Sequence, residues 1–307
     1  MKKLHLLSAV SALALSMAAS AAFAVTPNSV YIDQTGTGDS ASVDQSGGTG
    51  NTVGTSGAHV VQSGTNDMLN VTQAGNNNTV QTSGGAFTQA GNNDGLTLTQ
   101  TGNGNSADVA QDHDDTATVT QGVSGHLSNN AVATITQSGS TENATIIQEN
   151  NTAGTADHAT IHQSGAGHTA EIDQLGLSND VATITQSAVS NYGKVVQNGS
   201  NELATISQTG SGNNNFPAVV GITQSGDNNE AHLTQSSNLN VGTISQTNTG
   251  GALNLASISQ SVSDGNNASI TQNGFNDNAS ITQSGASAST AAVTQTGSGM
   301  SITINQH

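Results

Sequence analysis

The side chains able to do chemistry are few and thinly spread. Nine histidines and twenty acidic residues occur in 307, and there is no cysteine. The densest histidine run is His158-Ala-Thr-Ile-His162, with His168 close behind. On a strand, His158 and His162 face the same way but about 13 Å apart, too far to share one ion. Surface histidines are the expectation, and a weak metal site shared between neighbouring strands is the alternative. Asp112-His113-Asp114-Asp115 has the oxygen donors for loose Ca²⁺ binding. It lacks the glycine-aspartate nonapeptide of calcium-binding β-rolls, so a solvated acidic turn is expected. Sugar-cleaving chemistry in a groove needs paired carboxylates or lysines and arginines, and Lys194 alone cannot supply it. No catalytic, cofactor-binding or metal residue is assigned, and the chain is expected not to be an enzyme.

A fourth pattern is Thr-x-Thr, at Thr97/Thr99, Thr118/Thr120, Thr134/Thr136 and Thr183/Thr185. Stacked Thr-x-Thr is a surface used by ice-binding β-helices. Here threonine is mixed with Ser257-Ile258-Ser259 and Asp108-Val109, which a flat ice-matching face does not accept. Threonine and serine are also ordinary solvent-facing strand residues.

The elements that position these residues come from a repeat. Leaving out Gln81, glutamine recurs 23 times from Gln34 to Gln306, most often 11 residues apart, with other steps of 10, 12 and 14 to 17. The residue two before it is always Ile, Val, Leu or, once, Phe87. The residue four before is alanine in 15 units, and glycine stands two after in 15. Each unit reads as a strand, A-x-I-x-Q, followed by a turn in which glycine supplies positive φ and asparagine tolerates it. Such a unit cannot bury anything alone and must stack. The spacing predicts an all-β, two-sided β-solenoid of strand-turn-strand rungs of about 22 residues, amyloid-like, with 11 or 12 rungs and a rod of roughly 50–55 Å. Steps of 14 to 17 are expected to be lengthened turns. They separate the pairs 34/45, 62/73, 137/148 and 163/174, and the phase after Gln197 is open. Residues 74–90, where Gln81 follows Thr79, are also read as a lengthened turn. Alanine, isoleucine and glutamine share the inward face, so the glutamines are expected to form ladders along the stack that fix its register.

Composition sets the rest. Met1-Lys2-Lys3, an apolar stretch to Ala19 and Ala22-Phe23-Ala24 describe a bacterial secretory signal peptide. Residues 1–24 are assigned to it and residues 25–307 to the repeat solenoid. With Lys2 and Lys3 removed, Lys194 stands alone against 20 acidic residues, a net charge near −19. That argues against nucleic acid or anionic membrane as partners. Leu, Ile, Val and Phe make up less than a fifth of the chain and aromatics 2%, so composition alone points to disorder. The kept register of the repeat overrides it.

The pattern Q-x-G-x-x-N-x-A-x-I-x-Q, matched in Gln137 to Gln148, Gln197 to Gln208 and Gln272 to Gln283 except that the Asn shifts to four or six after the glutamine, resembles the curlin repeat of bacterial curli, the functional-amyloid fibres of the cell surface. The resemblance extends loosely over 30–306. It implies a secreted, extracellular fibre subunit that polymerises for adhesion and biofilm matrix. It also implies a nucleator subunit, a periplasmic chaperone and an outer-membrane secretion pore as partners. The chain differs in having about twice the repeats of the familiar subunits and alanine rather than serine opening each strand. Only Val25 to Ile32 precede the first glutamine, in place of a targeting segment. Regular units at both ends, without a charged helix or a proline-blocked edge, lead to the expectation of end-to-end self-polymerisation. A major structural subunit is preferred over a nucleator because the last unit is as regular as the others and not basic. A non-polymerising β-solenoid adhesin and an ice-binding β-helix are the alternatives.

Overall fold

Burial follows the pleat of the repeat. In Asn143–Gln148, Ala144, Ile146 and Gln148 are buried while Asn143, Thr145 and Ile147 are not. The same alternation holds in Val132–Gln137 and Leu203–Gln208. Ile and Val suit a pleated surface, and alanine leaves room for the facing sheet. The structure is a computed structural model describing residues 26–80, 88–123, 125–149, 156–176, 179–213 and 221–307, with the backbone of 13–16.

Two parallel sheets face each other across a single apolar core. The first sheet runs from Ser40–Asp44 through Asn143–Gln148 to Thr290–Ser298, and the backbone of Leu13–Ser16 lies beside Ser40–Asp44. The second runs from Ser29–Val30 and Ile32–Gln34 through Val132–Gln137 to Ser301–Gln306. The chain alternates between them, so each strand pairs with the strand one full rung away. Equivalent residues stack on each other: Ala144 on Ala170, Ile146 on Ile172, Gln148 on Gln174. Among the described residues the fold is all-β, a parallel β-solenoid without a helix, and no helix is long and apolar enough to cross a membrane. Glutamines pair as 34/45, 62/73, 89/100 and so on to 283/295, giving eleven two-sided rungs and the last strand of the second sheet. The phase left open after Gln197 resolves as 208/224, 235/246, 260/272 and 283/295.

Not every long step is a lengthened turn. Thr52–Val53 and Val60–Gln62 stack on Thr79–Val80 and Thr88–Gln89, and these stack in turn on the two halves of Ser106–Gln111. Residues 54–59 therefore leave a strand after buried Val53 and rejoin it at buried Val60, so the inward alternation continues across the insertion. The reading of 74–90 as a lengthened turn is corrected in the same way: Gly75 to Asn78 form the turn, and Thr79–Val80 and Thr88–Gln89 both lie in the second sheet, stacked on Ser106–Gln111. Gln81 and Phe87 lie outside the described residues. Farther along, Asn213 stacks on Asn191 and Ile222 pairs with Val195. The steps around 123–131 and 248–252 are turn insertions as expected, the latter folded by Asn248 Oδ1 accepting from the amides of Gly250 and Gly251.

The turn glycines have two roles. Gly75, Gly102, Gly165, Gly226 and Gly297, each two after a glutamine, supply the expected positive φ. Gly64 and Gly199 have φ outside the left-handed region, yet a Cβ on either would collide with the carbonyl oxygen of Gly91 or Gly226 in the next rung, so they permit close stacking of backbones. A left-handed residue also stands four after many glutamines: glycine at Gly38 and Gly104, and Asn66, Asn93, Asn201 and Asn276 with φ of 57 to 60°, within asparagine's tolerance.

Candidate functional site: two glutamine ladders and two turn columns

The most regular polar arrangement is made by the inward glutamines. In the second sheet every Nε2 from Gln34 to Gln283 donates to the Oε1 of the next glutamine toward the C-terminus, at 2.8–3.2 Å. In the first sheet the ladder from Gln45 to Gln295 has the same direction, at 2.7–3.1 Å. The expected ladders are present, and they are polarised.

Each amide has a second role that spacing alone did not disclose. The other Nε2 hydrogen points across the core to a carbonyl at the start of a strand in the opposite sheet. Gln148 donates to Val132 O, Gln163 to Asn143 O and Gln174 to His158 O, each at 3.1 Å. One glutamine thus ties rung to rung and sheet to sheet. A buried amide left without these partners costs about 1–3 kcal/mol, so rungs out of register are strongly disfavoured.

The turns carry a second set of stacked side chains. Measured from the glutamine that follows, the residue six before it is turned inward and buried, or eleven before it where the strand is interrupted, as at Asn51 and Asn78. Measured from the preceding glutamine it falls anywhere from four, at Asp115, to nine, at Asp157, which hides the regularity. On one edge this position holds Asp39, Asp67, Asp94, Asp115, Glu142 and His168, then asparagines beginning at Asn191. On the other it holds Asn51, Asn78 and Asn105, later Asp157, Asp180 and Glu202, then Asn229. The usual bond runs from the backbone N–H of one member to the side-chain oxygen of the previous one: Asn105 to Asn78, Asp94 to Asp67, Asp180 to Asp157, Glu202 to Asp180. Asparagine completes the pattern by donating Nδ2 to a carbonyl of the next rung, Asn78 to Gly102 O at 3.0 Å and Asn105 to Ser128 O at 2.8 Å.

The carboxyl members are electrostatically unusual. Burial pushes Glu142 up to about 7, with Asp115 and Asp112 adding repulsion against a weaker pull from the Ser138 amide. Burial raises Asp157 to about 6, and Asp180 to about 7 with Asp157 and Asp227 contributing. Glu202 is raised to about 8 by burial, despite the Asn229 amide. Asp67, Asp94 and Asp115 move upward for the same first cause. His168 is buried, which lowers its affinity for a proton. Its Nδ1 accepts from the Asn191 N–H and its Nε2 lies 3.3 Å from Ser164 O, an arrangement for the neutral ring.

The residues first considered for chemistry are not brought together. His158 and His162 are both exposed on the outer face of one strand, whereas His168 is buried in a turn. Asp112 accepts from the Gly139 amide, His113 and Asp114 are exposed, and Asp115 joins the buried column. Among the described residues no group of three or more His, Asp or Glu is placed to hold a metal ion. Thr97 and Thr99 stack on Thr118 and Thr120, but the next strand brings Ile147 to the second column. In the other sheet Thr134 and Thr136 stack between Asp108 and Ala110 on one side and Thr160 and His162 on the other. No uniform threonine face results. Lys194 bridges Glu171 and Asp173 of the adjacent strand, at 2.6 and 2.9 Å, on the outer face.

Residues 203–236 match the family model of the curlin-associated repeat. They span Leu203–Gln208 and Asn229–Gln235, neighbours in the second sheet, with Ile222–Asp227 of the first sheet between them. No curated protein matches the chain.

Proposed function

We propose that the protein is a non-enzymatic structural subunit of an extracellular curli-like amyloid fibre, polymerising end to end on a bacterial surface for adhesion and biofilm matrix. The observation that carries this reading is the polarity of the two ladders. At one end of the stack Gln45 Oε1 is buried and accepts nothing among the described residues. At the other, Gln295 and Gln306 donate across the core to Asn278 O and Thr290 O and have no further glutamine to donate to. Acceptors at one end and donors at the other are complementary, a heterologous contact that does not close and so propagates. The matched curlin-associated repeat supports the same class. The partner of the stack is a second copy, and a nucleator subunit, a chaperone and a secretion pore are the further partners this reading brings with it.

The high negative charge opposes association of the soluble chain by repulsion, which suits a subunit that has to be exported before it polymerises. The test is to incubate the chain freed of residues 1–24 at tens of micromolar and follow thioflavin fluorescence with electron microscopy. Seedable fibres are expected. A chain that stays monomeric for days, or that lowers the freezing point of supercooled solution instead, contradicts the proposal.

A further inference from the structure

The acidic members of the turn columns have no function in the glutamine ladders, yet they sit in the most demanding environment of the molecule. The position they occupy requires two things of a side chain. It accepts the backbone N–H of the next rung, and it donates to a carbonyl, as Asn78 and Asn105 do. An ionised carboxylate provides only the first. At Asp67 and Asp94 the turn compensates, because the amides of Gly64 and Gly91 donate to the second oxygen. At Asp115, Asp157 and Asp180 the second oxygen is buried without a well-formed hydrogen bond, as are Oε2 of Glu202 and both oxygens of Glu142, and the pull of turn amides such as Ser138 on Glu142 and Asn179 on Asp157 does not offset burial. These five side chains are 0–1% exposed. They stand in consecutive rungs, Asp115 next to Glu142 and Asp157 next to Asp180 next to Glu202.

We propose that the solenoid takes up protons as it folds, the five carboxyls of Asp115, Glu142, Asp157, Asp180 and Glu202 being stored in the acid form, so that acidification drives rung formation and rising pH opposes it. A neutral carboxyl has the donor that asparagine supplies at the same position, and it removes the repulsion between like charges one rung apart. The proton comes from solvent and stays on the carboxyl oxygen, and no other bond changes. The groups facing the first column are Asp112, His113, Asp39, Asp67, Asp94 and His168, and those facing the second are Asp227 and the Asn229 amide. The one lysine among the described residues is engaged with Glu171 and Asp173 on the outer face. His168 works weakly in the opposite sense, since its ring is held neutral.

The sign follows from linkage. Carboxyls raised from about 4 in the unfolded chain to about 6–8 in the fold leave stability whole below pH 4 and remove it as pH rises through 6 to 8. The test has two arms. Refolding the chain in weakly buffered solution at pH 7 under a pH-stat is expected to consume about two protons per molecule; consumption of none overturns the proposal. In the second arm, soluble folded yield is compared at pH 5 and pH 8 for the natural chain and for D157N/D180N/E202Q. The natural chain is expected to lose tenfold or more in its folding equilibrium between the two, and the variant to recover most of that loss. An unchanged pH dependence in the variant overturns the assignment to this column. Should the variant fail to fold, E142Q alone is measured in the same way. Both arms read folding of the monomer, so they stand or fall independently of fibre growth.

Discussion

A glutamine on the buried side of a strand is costly unless every hydrogen it carries is used. Gln148 places one on Gln174 Oε1 and the other between Val132 O and Asp157 O. Replacing it with leucine takes a ladder bond from each of Gln121 and Gln174 and the bond across the core from Val132 O. Gln148→Leu is predicted to cost about 2–4 kcal/mol, more than its gain in apolar surface returns, measured as the midpoint of denaturant unfolding of the soluble chain. The ladder itself was legible in the sequence, because the alternation that buries Ala and Ile must also bury Gln. The bond across the core was not, because it depends on which strand opening faces which glutamine. The carboxyl columns were missed for a different reason. Counted from the glutamine before the turn the position varies, whereas in an uninterrupted strand it lies six before the glutamine after the turn, as Asp39 before Gln45, Glu142 before Gln148 and Asp180 before Gln186 show. Turns of different length absorb their extra residues near their beginning and enter the next strand in one way.

At the scale of the turn, two backbone demands are separated by two residues. Two after the glutamine, the chain of the next rung passes where a Cβ would stand. Gly64→Ala is therefore predicted to lose about 2 kcal/mol or more, by overpacking against the carbonyl of Gly91. Four after the glutamine, φ is left-handed, which Asn201 and Asn228 accommodate and Leu239, at φ 55° and 62% exposed, does not favour. Leu239→Asn is predicted to raise stability by about 0.5–1 kcal/mol in the same unfolding measurement. A loss of stability there would show that Leu239 makes a contact worth more than its strain. Strands and their inward faces could be read from glutamine spacing, and so could the two-per-rung pairing of pairs such as 137/148 and 163/174, but not its phase after Gln197. Whether an insertion falls in a strand or a turn could not, because a step of 16 has the same length either way. Thr52–Val53 followed by Val60–Gln62 keeps the pleat by returning at the next inward residue, a solution only the stacked neighbours reveal.

For the whole molecule, twenty acidic residues against so few basic ones oppose the approach of two copies, while the proposed fibre has the polarised ladders join copies end to end. The repulsion is screened by salt, with a Debye length of about 10 Å at 0.1 M and 3 Å at 1 M. Raising ionic strength over that range at fixed pH is predicted to shorten the lag before thioflavin signal several-fold; a lag that lengthens with salt would point to assembly driven by attraction between charges. In the proposed fibre growth takes place at the ladder ends, so Gln295→Leu is predicted to leave the monomer folded yet slow seeded elongation. The measurement that bears most directly on the central claim is X-ray diffraction from aligned fibres of the chain freed of residues 1–24. Rungs parallel and in register, joined without a break from one copy to the next, predict a sharp meridional reflection near 4.8 Å and an equatorial one near 10 Å. Assemblies that form yet lack the meridional reflection would contradict the account, because the ladders would then end with each molecule.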